Sequence, residues 1–116
     1  MAGRNRYYLS IDDLAHARGD EPALSYGGAG PSDFAAALQD ALRSPALFER
    51  WRAMQADPDE VDPALGATDA QARVEARVAD LHVDAEVLTS LPMSLLRQRL
   101  DWLIGAHWKL RDVRAG

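Results

Sequence analysis

Residues 69–89, DAQARVEARVADLHVDAEVLT, admit two readings, and the fold class turns on which one holds. Thr68 followed by Gln71 has the form of a capping box, and behind it Ala70, Val74, Val78, Leu81, Ala85 and Leu88 recur at intervals of four, four, three, four and three. Those intervals put six apolar side chains on one face of a helix. The competing reading takes Leu81, Val83, Ala85 and Val87 as an alternating strand with His82, Asp84 and Glu86 on its wet face. One helix from Asp69 to about Thr89 accounts for the whole stripe and is the expectation.

Working outward, the neighbouring segments also show helical spacing. After Ser32, a cap by residue type, Phe34, Leu38, Ala41 and Leu42 share one face. Ser44-Pro45 predicts a fresh start, because proline suits the first helical position, for a helix to about Ala56 with Leu47, Phe48, Trp51 and Met54 as its stripe. Asp57-Pro58 stops it, since a residue before proline is pushed out of the helical region. From Pro92 to about Arg111 a last helix is expected, with Leu96, Leu100, Leu103, His107 and Leu110 along its centre and Met93 and Ile104 on a flank. At the other end Arg6–Ser10 reads as a short strand with Ala23–Tyr26 as its hairpin partner, in competition with a short helix from Ile11 to Arg18 that Ser10 and Asp13 would cap. The expected fold is mainly α: a compact bundle of four to five helices with a short N-terminal extended or hairpin segment. It is read as one helical domain over residues 1–116, with 1–31 as an extended arm or small hairpin.

At 116 residues the chain is long enough for one core without covalent staples. The absence of cysteine excludes disulfides, thiolate metal sites and cysteine nucleophiles. No run of 18 apolar residues exists for a spanning helix, so no membrane partner is expected. The first ten residues lack the apolar run of a secretory signal, which makes the cytoplasm the default compartment. Charge is uneven: residues 11–72 hold twelve acids against four arginines, a balance of −8, whereas residues 93–116 carry +3 within a total of −5.

The loop Tyr26–Asp33 (YGGAGPSD) is rich in glycine, but Pro31 lacks an N–H and Asp33 brings a negative charge, so a connector is expected there and not a phosphate cradle. Asp12 with His16 and His82 with Glu86 have the i, i+4 spacing that aims two ligands at one ion on a helix, yet neither belongs to a three-ligand motif. The acidic loop Asp57, Asp59, Glu60, Asp62 lacks the glycine and glutamate of an EF-hand. No cofactor is called for, and a metal is left unassigned. His107, at the centre of an apolar helical face, is read as a satisfied core or interface histidine ahead of a catalytic base. Nucleic acid is disfavoured because phosphate attraction must work against a net charge of −5.

The C-terminal segment concentrates Arg97, Arg99, Trp102, Trp108 and Arg111, residue types enriched at binding hot spots. The expected function is therefore a non-catalytic protein–protein interaction or regulatory domain, of adaptor, chaperone-like or immunity type, that presents a helical surface to another protein or to a second copy as a homodimer. The alternative is a small metal-dependent enzyme or ligand-binding domain using His82, Glu86 and His107.

Overall fold

The 69–89 segment is a β-hairpin and not a helix. Val74, Ala76 and Val78 of β2 (Arg73–Ala79) lie directly opposite Val87, Ala85 and Val83 of β3 (His82–Thr89), with the two strands joined across Asp80-Leu81. An interval of four residues is two full repeats of a strand, so the Val74–Val78 spacing that reads as helical also satisfies a period of two. Branched valines prefer the pleated surface, and burial of one face decides between the periods: β3 alternates half-buried and buried along its whole length. Leu81, counted in the helical stripe, sits on the turn and is 97% exposed.

The last helix is also shorter than its stripe. In a computed structural model, which describes residues 3–28 and 30–116, α3 spans Met93–Ile104 and Gly105 then turns at φ 62. Residues Trp108–Ala115 form strand β4. His107 and Leu110 therefore leave the helical face. Helix α1 (Pro31–Arg43) buries its expected stripe of Phe34, Leu38, Ala41 and Leu42, whereas α2 (Ala46–Ala53) ends short of Ala56 and buries only Leu47 and Phe48 of its own. Trp51 is half-buried and Met54 lies just past the end of α2.

The N-terminal strand, β1 (Asn5–Asp12), does not pair with Ala23–Tyr26. It runs antiparallel between β3 and β4 at the centre of a four-stranded sheet of order β2-β3-β1-β4. The expected helix over Ile11–Arg18 reduces to one 3-10 turn, Leu14–His16, after Asp13 enters the left-handed region at φ 52. Tyr7, Leu9 and Ile11 point from β1 into the core and are almost fully buried. The molecule is thus an α+β fold and not a helical bundle: a β-α-α-β-β-α-β chain in which β3 separates β1 from β2, the strands joined through α1 and α2, and β1 separates β3 from β4, the strands joined through α3. The sequence readings that involve residues 1, 2 and 29, at the start of the arm and within the glycine loop, lie outside the described residues at those positions.

A carboxylate ties the hairpin to the segment that leads into it. Asp69 accepts hydrogen bonds from the Gln71 N–H at 3.0 Å, the Thr89 hydroxyl at 2.9 Å and the Ser90 N–H at 3.0 Å. Burial alone would raise its pKa, but these donors outweigh burial and hold the carboxyl below the ordinary aspartate value. A depressed folded pKa contributes stability that is present above the unfolded value, about 3.9, and is lost as pH falls through the folded one. Asp69→Asn is expected to cost about 1 to 3 kcal/mol at pH 7. Urea midpoints measured from pH 7 to pH 2 should show the gap between parent and variant narrowing below pH 4; a constant gap would remove the carboxylate from this role.

Candidate functional site

The face of the sheet away from the core is polar and open. Its side chains include Arg6, Tyr8 and the buried Ser10 on β1, Arg73, Glu75 and Arg77 on β2, and His82, Asp84, Glu86 and the half-buried Leu88 on β3. Register brings them into rows, one running Glu75, Glu86, Tyr8, Asp112 and the next Arg77, Asp84, Ser10, Lys109. In the second row Arg77 stands opposite Asp84, a pairing that stabilises the surface modestly, whereas Glu75 opposite Glu86 in the first is a like-charge pair that opposes it.

A β-bulge shapes the site. Tyr8 pairs with Asp112 and Leu9 with Leu110, so Arg111 is the extra residue, and it turns to the same face as Asp112. A groove of about 450 Å³ lies over the middle of the face, lined by Tyr8, Glu75, Arg77, Asp84, Glu86 and Arg111. Around it Arg6 Nη1 pairs with Glu86 Oε1 at 3.1 Å, His82 Nε2 with Asp84 Oδ1 at 2.9 Å, and Arg114 Nε with Asp112 Oδ2 at 2.9 Å. The Arg114 guanidinium also lies 5.5 Å from the Tyr8 ring centre. Hydrogen bonding to Arg114 and to the Val113 N–H holds the Asp112 carboxyl below its ordinary value. Among the described residues, Arg77 and Arg111 make no ion pair.

The five residues read from the C-terminal segment as one partner surface are distributed over four places. Arg111 is on the open sheet face. Arg97 is exposed on α3, and Trp102, half-buried on the same helix, stacks on Trp51 with ring centres 5.2 Å apart. Trp108 belongs to β4, and its Nε1 donates to Asp101 Oδ1 at 3.1 Å. Arg99 is fully buried and donates to the Leu65 carbonyl at 3.1 Å and the Ala67 carbonyl at 2.8 Å, with burial pushing its pKa down. It holds the loop after α2 in place.

His82 and Glu86 share the wet face of β3, but four residues of strand separate them by about 13 Å, whereas one helical turn would have brought them together. His107 is exposed in the turn before β4, where its carbonyl accepts from the Asp12 N–H at 3.0 Å. It is not the core histidine that a continuous helix would have made it. Asp12 and His16 are likewise not one helical turn apart, for His16 instead meets Asp13 at 2.9 Å. Among the described residues no group of three His, Asp or Glu side chains is placed to hold a metal ion.

Tyr8, Arg77 and Glu75 were not singled out by sequence. The alternation Arg6, Tyr8, Ser10 against Tyr7, Leu9, Ile11 marks Tyr8 once β1 is seen to run to Asp12, and Arg73, Glu75, Arg77 against Val74, Ala76, Val78 marks Glu75 and Arg77 on β2. Fold and groove together define an α+β domain with an open-faced antiparallel sheet, a class that hosts many functions and dictates none. No protein-family model, curated protein or solved structure matches this chain. Among the described residues no helix is long and apolar enough to cross a membrane.

Proposed function

We propose that this protein is a non-catalytic recognition domain that binds another protein across the open face of its sheet. The observation that carries this reading is the groove in which Tyr8 stands between two arginines, Arg77 and Arg111, without ion-pair partners among the described residues. Tyrosine and arginine are the residue types that most often dominate binding energy, and strands hold them more rigidly than loops would. The partner's complementary surface carries carboxylates for the two arginines and at least one basic group for Glu75 and Asp84. Those same acids repel a phosphate backbone, which keeps nucleic acid out of the proposal.

The test is photo-crosslinking in the native cell from a probe at Lys109, beside the groove, followed by titration of the captured protein. Tyr8→Ala and Arg111→Glu are each expected to weaken that protein's binding by about tenfold or more, equivalent to about 1.4 kcal/mol, while His107→Ala leaves it unchanged. A second copy of this chain is one outcome of the capture, and it would show as a concentration-dependent mass in light scattering. Equal affinity of parent, Tyr8→Ala and Arg111→Glu would defeat the proposal.

A further inference from the structure

A second groove, of about 430 Å³, opens on the helical side between the segment before α1, the end of α2 and the outer face of α3. Its apolar part comes from Trp51, Trp102 and Met54, and its rim from Asp20, Glu21 and Asp101. The two indoles stack at 5.2 Å with 28° between their planes. Phe48 lies 5.9 Å from Trp51, and the buried Arg99 guanidinium lies 5.8 Å from the Trp102 ring centre. The aromatic stack is therefore already faced from within, and it offers the groove apolar bodies and ring edges. Met54, 45% exposed, adds a flexible apolar side chain to the open part of the groove.

The charge of this groove is one-sided. Three carboxylates stand on its rim and no lysine or arginine lines it. The guanidiniums of α2 are committed elsewhere: Arg50 to the Ala23 carbonyl at 3.2 Å, and Arg52 to Glu49 at 3.4 Å and the Pro58 carbonyl at 2.9 Å. An apolar segment laid here would strip water from the carboxylates with no return, and an acidic one would be repelled. A long side chain with a methylene stem and a cationic head satisfies both parts, because its stem covers apolar surface while its charge stays at the wet rim.

We infer that this groove docks a basic segment of another protein, seating a lysine or arginine stem against Trp51, Trp102 and Met54 with its charge among Asp20, Glu21 and Asp101. Recognition is through the carboxylates and not through the ring faces, which are already occupied. The site is independent of the open sheet face.

Calorimetric titration of the full chain with a capped pentapeptide carrying two arginines tests the assignment, with the isosteric citrulline peptide as the uncharged control. Saturable binding is expected for the arginine peptide, weakening as salt is raised. The citrulline peptide, and an Asp20→Asn, Glu21→Gln double variant titrated with the arginine peptide, should each bind at least tenfold more weakly. Among the described residues the Asp20 side chain makes no hydrogen bond and that of Glu21 only accepts a long one, from the Ala23 N–H at 3.4 Å, so a fold unchanged by circular dichroism is expected of that variant. Tyr8→Ala should bind the peptide as the parent does, whether or not the sheet face binds a protein. Absence of saturation, equal binding of the citrulline peptide, equal binding by the double variant, or loss of binding in Tyr8→Ala would each overturn the assignment.

Discussion

Gly105→Ala is expected to destabilise the protein by about 2 to 4 kcal/mol, combining a strained backbone with an overpacked contact. Gly105 sits at φ 62 and ψ −131, a region that side chains with a Cβ avoid. A Cβ placed there would lie 2.8 Å from the Arg18 carbonyl oxygen, which is backbone and cannot swing aside. The sign of the effect separates the two readings of the C-terminal segment. Were residues 92–111 a continuous helix, alanine in place of a mid-helix glycine would stabilise by about 1 kcal/mol. Urea unfolding of parent and variant gives the sign directly, and far-ultraviolet circular dichroism of the parent should show mixed helix and strand.

Arg99→Ala carries the largest expected effect, a loss of about 3 to 5 kcal/mol, as for truncation of a large buried side chain. The side chain is fully buried, so its removal leaves a cavity. It also removes the guanidinium that joins the Leu65 and Ala67 carbonyls, so the loop loses both of those hydrogen bonds. Arg99→Lys should recover only part of the loss, because a single ammonium lacks the planar fork that meets two carbonyls at once. Hydrogen exchange should locate the damage in the loop between α2 and β2. An exposed Arg99 on a partner-facing helix would tolerate both substitutions within about 0.5 kcal/mol, so a small loss would return this residue to the surface.

The proposed sites divide along the same line as the fold. Trp102 and Arg111 stand out in the sequence as hot-spot residue types in a basic segment, and the structure places each beside a groove. Their companions are distant in the chain. Trp51 reaches Trp102 from α2, and Tyr8 faces the same groove as Arg111 only because β1 and β4 pair across about a hundred residues. Arg99, equally conspicuous by type, is interior, and nothing in its local spacing distinguishes it from Arg97, two positions earlier and exposed.

Local pattern alone determined α1, α2 and the first three turns of α3. Phe34, Leu38, Ala41 and Leu42 form a stripe over neighbouring turns, and the signal and the hydrogen bonds that realise it span the same few residues. Only the tertiary structure decided the sheet. An interval of four fits both a helix and a strand, so Val74 and Val78 became strand residues through partners on β3, and β3 through β1, to which Asn5 and Thr89 are paired. Burial on one face of a sheet whose strands lie far apart in the chain is a property of the assembled strands, and no window of ten or twenty residues contains it. Gly105 shows the same division: the apolar stripe runs on past it to Leu110, yet its positive φ breaks the helix and sends residues 108–115 back along β1 as an edge strand.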